Sequence, residues 1–60
     1  IYYGLARCYA LQENIELAIE NLRHAINLNS QYRDMAETDS DFDKIRDNEQ
    51  FKNFWSENGI

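Results

Sequence analysis

The sequence contains no proline, only two glycines (Gly4 and Gly59), one cysteine (Cys8) and one tryptophan (Trp55) among sixty residues. A lone cysteine cannot build a disulfide framework, which points towards a reducing, cytoplasmic setting. No apolar run approaches the ~18 residues that a membrane span requires. Nothing near the start has the pattern of a signal peptide. Ile1 in place of an initiator Met leads us to expect a segment of a longer protein, whose upstream part would cover an exposed face. A chain this short buries only ~60% of its unfolded surface and is marginal alone.

Positive charge is also scarce. Six Lys and Arg face eleven Asp and Glu, for a net charge of −5. The imbalance is local: residues 1–36 hold four acids and three bases, and residues 37–60 hold seven acids and three bases. An acidic surface repels phosphate, and nucleic-acid binding depends on Lys and Arg neutralising the backbone, so the composition argues against DNA or RNA as a ligand. The same sign argues against an anionic membrane surface.

What the sequence does have is helical periodicity. Residues 1–12, IYYGLARCYALQ, place apolar side chains at 2, 5, 6 and 9, which is the spacing of one helix face. Residues 15–28, IELAIENLRHAINL, repeat it at 15, 18, 19, 22, 25 and 26. The break between them is short and Asn14 is a good N-cap for the second helix, so the two helices are expected to be antiparallel. Facing residues in such a hairpin have numbers of constant sum, which sets Tyr9 against Ala18, Leu5 against Leu22 and Tyr2 against Ala25. Two rings then meet two alanines, as close helix packing needs.

Tyr2, Leu5, Ala6, Tyr9, Ala18, Leu22 and Ala25 also stand in register with the signature of the tetratricopeptide repeat, which residues 1–32 resemble. Ser30 replaces the usual proline, Ala6 a glycine, and Glu13 the glycine common at the turn. A left-handed backbone at Glu13 would cost ~1 kcal/mol or more. The resemblance implies an all-α solenoid fragment, with residues 1–30 as the repeat and 31–60 as capping helices of the same domain. A short third helix, QYRDMAE, would present Tyr32, Met35 and Ala36 on one side, and Ser30 would cap it. No second repeat follows, since Asp39 and Ser40 stand 34 residues beyond Leu5 and Ala6, so the tail is expected to be a terminal cap.

The stretch TDSDFDKIRDNEQF spaces Asp39, Asp41, Asp43 and Asp47 like the start of a calcium loop over residues 39–50. The remaining requirements fail, because Lys44 holds the glycine position, Arg46 the apolar one and Gln50 that of the bidentate glutamate. Capping boxes explain the same acids: Ser40 with Asp43, and Asp47 with Gln50, each starting a short helix. Phe42, Ile45, Phe51, Phe54 and Trp55 then become anchors that dock on the hairpin.

No catalytic constellation is visible. Cys8 and His24 are offset along the expected hairpin by about 7 Å at a rise of ~1.5 Å per residue, and no third member or oxyanion donor accompanies them. Cys8 reads as a small packed residue and His24 as a solvated one. One Cys and one His cannot close a zinc site, and the aromatic residues fall on core positions rather than on a base-stacking platform. We expect no enzyme, no metal and no cofactor. In tetratricopeptide arrays the first helix of each repeat lines a groove for a peptide or protein partner, which here implies Tyr3, Arg7, Ala10 and Leu11. Arg7, the only cation there, could hold a carboxylate through its planar fork. Tyr3 and Arg7 stand where the Lys and Asn of a chaperone-binding clamp would be, so that partner is not expected. Upstream repeats or self-association would supply the remaining contacts; a purely structural cap is the alternative role.

Overall fold

The computed structural model describes residues 1–58, with side chains through Glu57; Gly59 and Ile60, the end of the expected capping segment, lie outside the described residues. Four α-helices and one 3₁₀ segment account for nearly all of it: α1 (Tyr2–Leu11), α2 (Ile15–Leu28), α3 (Gln31–Thr38), the 3₁₀ segment Ser40–Ile45, and α4 (Glu49–Asn58). The chain is all-α. None of these helices is long and apolar enough to cross a membrane.

The turn between α1 and α2 shows how the sequence sets the hairpin. Glu13 adopts φ 60°, its N–H donating to the Ala10 carbonyl at 3.0 Å while the Asn14 N–H reaches the Tyr9 carbonyl at 2.9 Å. This pair of bonds is the Schellman ending of a helix, with a glutamate in the place that favours glycine. Asn14 then caps α2, its Oδ1 accepting from the Leu17 N–H at 3.4 Å. Tyr2, at the opposite end of the pair, stacks on His24 near the end of α2 with ring centroids 4.9 Å apart. The helices therefore run antiparallel, with Tyr2 one residue off its expected pairing with Ala25.

Three further caps fall one residue away from those expected. Asn29, not Ser30, holds the start of α3, its Oδ1 accepting from the Gln31 N–H at 3.0 Å; Ser30 makes no side-chain cap bond. Asp39, not Ser40, starts the 3₁₀ segment by accepting from the Asp41 N–H at 3.0 Å. Asn48, not Asp47, starts α4, accepting from the N–H groups of Gln50 at 2.8 Å and Phe51 at 3.2 Å. In each case the residue used is an Asn or Asp whose short side chain reaches the free N–H groups two or three positions on.

The core divides its labour by size. The hairpin contributes Ala6, Ala10, Ala18 and Ala25, with Tyr3 and Leu22, and the tail contributes Ala36, Phe42, Ile45, Phe51 and Phe54. The 3₁₀ segment packs on α1, and α3 and α4 pack on α2, so the small positions of the hairpin receive their bulk from the tail. Each fully buried Phe or Ile contributes ~1.5–3 kcal/mol, which makes the tail a principal source of stability. The rings are continuous: Tyr32 stacks on Tyr3 at 5.0 Å, Tyr3 meets Phe42 at 5.9 Å, Phe42 meets Phe51 at 6.2 Å, and Phe51 meets Trp55 at 5.6 Å.

This arrangement corrects the expected stripe on α1. Tyr2 and Leu5 remain 40% and 41% exposed, Tyr9 is half-buried against the core, and Cys8 is exposed rather than packed. Met35 is half exposed although its neighbours Tyr32 and Ala36 turn inward. The physical reason lies in α1 itself, which is apolar on nearly every side. Sequence pattern alone does not set its rotation; the tail does, by drawing Tyr3, Ala6 and Ala10 towards Phe42 and Ile45.

Candidate functional site

Tyr3, Arg7 and Ala10 follow one another at helical spacing along α1, and the structure buries Tyr3 and Ala10 while Arg7, half exposed, pairs with the tail at its edge. Tyr3 is 7% exposed and Ala10 fully buried. Of the four residues expected to meet a partner, Leu11 is 48% exposed and Arg7 keeps part of its guanidinium in water. The expectation that this side faces outward is therefore corrected: the chain's own residues 39–45 lie on it.

The contacts there are polar and specific. The Tyr3 hydroxyl donates to Oδ2 of Asp39 at 2.8 Å. Arg7 Nε donates to Oδ2 of Asp41 at 2.7 Å and lies 3.5 Å from Oδ2 of Asp39. Arg46 fastens the same turn from the other side, with Nη2 donating to the carbonyls of Ala36 at 2.9 Å and Asp39 at 2.7 Å, and Nε to Oδ1 of Asp43 at 2.9 Å. Two arginines thus hold the acidic turn at opposite edges.

Electrostatics follow from these partners. Burial, and then the bond to Asp39, push the Tyr3 phenol well above the usual tyrosine range. Burial alone would raise the Asp39 carboxyl, but the Asp41 N–H, the Tyr3 hydroxyl and the charges of Arg7 and Arg46 outweigh it and leave it below its ordinary value. The bond to Asp41, and then its charge, raise Arg7 further. The arrangement keeps Tyr3 neutral, Asp39 ionised and Arg7 charged.

Three of the four acids of the calcium-like stretch are engaged within the chain: Asp39 by Tyr3, its own turn and Arg7, Asp41 by Arg7, and Asp43 by Arg46. Among the described residues no three His, Cys, Asp or Glu converge as metal ligands. Cys8 and His24 are both exposed, and His24 engages the Tyr2 ring.

A second concavity escaped the sequence reading. Arg46, Phe51, Lys52, Trp55 and Ser56 line an open groove of about 360 Å³ along α4, beside the turn that carries Arg46. Arg33 lies over the Trp55 ring at 4.4 Å, and Arg23 over Phe54 at 5.2 Å. Helical spacing does place Phe51, Lys52, Trp55 and Ser56 on one side of α4, but Arg46 joins them only through the turn before it. The Asp41 partner of Arg7 was equally hidden, since 34 residues separate the two. No family model matches the chain, and neither a curated protein nor a solved structure matches it.

Proposed function

We propose that the chain is a non-catalytic protein-interaction module that closes one end of a tetratricopeptide-like helical array. One observation carries this reading. Helix α1 is apolar nearly all round, yet it is fully covered only at Tyr3, Ala6 and Ala10; Tyr2, Leu5 and Leu11, with Ile1 just before the helix, are left 40% exposed or more. A helix of that composition calls for cover on more than one side, and a set of exposed apolar side chains on one element marks a place where another protein surface packs. The partner in this reading is polypeptide: upstream repeats, a protein ligand or a second copy.

A second reading, the structural cap, is favoured by the Tyr3–Asp39 and Arg7–Asp41 contacts. They fill the side of α1 that an array would offer to a ligand, so that the carboxylate Arg7 recognises is the chain's own. A photo-crosslinking residue placed in cells at Leu5, beside a control at Glu16, tests the interaction reading. Adducts to polypeptide are expected at Leu5 and not at Glu16. Equal, background-level crosslinking at both positions contradicts it.

A further inference from the structure

We propose that the uncovered face of α1 receives a basic amphipathic helix of another polypeptide. The inference rests on the interaction reading and names the partner's chemistry. Ile1, Gly4, Leu5, Cys8 and Leu11 follow one another at helical spacing, all are exposed, and no side chain among them is charged. An amphipathic helix lays its apolar side on such a stripe and keeps its charges at the edge.

Two residues here are set against the needs of the fold. Gly4 stands inside a helix, where glycine is a weak former, yet a Cβ added to it would meet nothing within 4 Å. The chain's own packing therefore gives no reason for a glycine. Glu13 is the converse: it is exposed and occupies the left-handed position, at φ 60°, that favours glycine. Local rules broken without return inside the fold mark a surface shaped for something else. A glycine at the centre of the stripe lets a second backbone approach α1 closely, near the lower limit of the ~8–10 Å between packed helices.

Charge selects the partner. Glu13 stands just past the carbonyl end of α1, whose last turn carries no basic residue, so the negative end of the helix dipole and the carboxylate add at one place. Glu20 lies one turn before His24, whose ring stacks on that of Tyr2. Both acids are exposed and make no ion pair among the described residues. The one cation of α1, Arg7, is held by Asp41 and Asp39. Arg23 and Arg33 lie over Phe54 and Trp55, and Lys44, Arg46 and Lys52 belong to the tail. A partner that carries Lys or Arg beside its apolar side therefore finds carboxylates that no cation of the chain opposes. A second copy brings the same acids and a net charge of −5, which repels it.

The test titrates a leucine–lysine peptide, patterned as an amphipathic helix, into the isotope-labelled chain. Its twin has glutamate in place of every lysine, and a third peptide has the same leucines and lysines in an order without helical periodicity. Saturable amide shifts in residues 1–13 and 20–24 are expected, with a Kd of ~10–100 μM, and both comparison peptides should bind about tenfold more weakly or worse. Gly4→Leu, which circular dichroism should show to be folded, should weaken binding about fivefold by filling the space of approach. Glu20→Gln should weaken it about twofold to threefold, and Glu49→Gln, which removes the same charge from α4, should not. The proposal is overturned if the glutamate twin binds as well, if the shifts centre on the tail, if either Gly4→Leu or Glu20→Gln leaves affinity unchanged, or if sedimentation shows the chain alone to be a dimer closed through this face. Should Leu5 crosslink to polypeptide in cells while the lysine peptide fails to bind, this inference falls and the interaction reading stands.

Discussion

The hydroxyl of Tyr3 and the carboxylate of Asp39 meet at 2.8 Å, tying the first turn of the first helix to the residue that begins the 3₁₀ segment. Arg7 reinforces the tie through Asp41 one turn further along, and beneath both lies the ring of Phe42, fully buried. The acidic tail is thus a packed part of the fold.

Stability should fall at both ends of the pH scale for reasons traceable to this pair. A carboxyl held below its ordinary value, as Asp39 is, stabilises the fold above about pH 4, and that contribution disappears as pH falls through its folded value. A phenol held above its ordinary value, as Tyr3 is, stabilises below about pH 10, and that contribution fades as pH rises from there towards its folded value. Tyr3→Phe should cost ~1–2 kcal/mol at neutral pH and flatten the alkaline decline. Urea midpoints of both proteins across the range give the answer; an alkaline slope unaltered by the substitution contradicts the assignment.

Glu13→Gly should stabilise. The left-handed turn strains any residue with a Cβ by ~1–2 kcal/mol, and glycine returns part of that through its greater freedom when unfolded. A net gain of ~0.5–1 kcal/mol is expected as a higher urea midpoint with an unchanged slope. A lower midpoint would mean that the glutamate side chain contributes something the turn geometry does not reveal.

Caps can be compared residue against neighbour. Asn48→Ala removes the acceptor for Gln50 and Phe51 and should cost ~1 kcal/mol. Asp47→Ala should change stability by less than ~0.5 kcal/mol, as surface substitutions away from such features do. Thermal melts of the two variants side by side would show the reverse order if Asp47 were the cap.

Phe51 is 3% exposed and touches Phe42, Phe54 and Trp55. Phe51→Ala should cost ~3–5 kcal/mol, enough to unfold a domain of this size at ambient temperature. Circular dichroism should show most of the helical signal lost. A cooperative melt near that of the parent would mean that the ring cluster is not a source of stability.

The sequence disclosed most of the fold and little of the site. The span of α2, the Asn14 cap and the inward turn of Phe42, Ile45, Phe51 and Phe54 follow from periodicity and local chemistry. The caps at Asn29, Asp39 and Asn48 were displaced by one because each has a polar neighbour, Ser30, Ser40 or Asp47, of similar propensity; only the backbone path chooses between them. The rotation of α1 was illegible for a different reason. Tyr2 and Tyr3 are adjacent and chemically alike, so nothing local says which ring turns inward, and the decision rests with Phe42 and Asp39, nearly forty residues away.

Ring-to-ring nuclear Overhauser effects test the account most directly, since everything depends on the tail lying against the Tyr3 side of α1. Cross-peaks between the Tyr3 and Phe42 rings, whose centroids are 5.9 Å apart, and between Tyr3 and Tyr32 at 5.0 Å, are expected in a folded sample. Their absence, with Tyr2 rather than Tyr3 showing contacts to the tail, would contradict it.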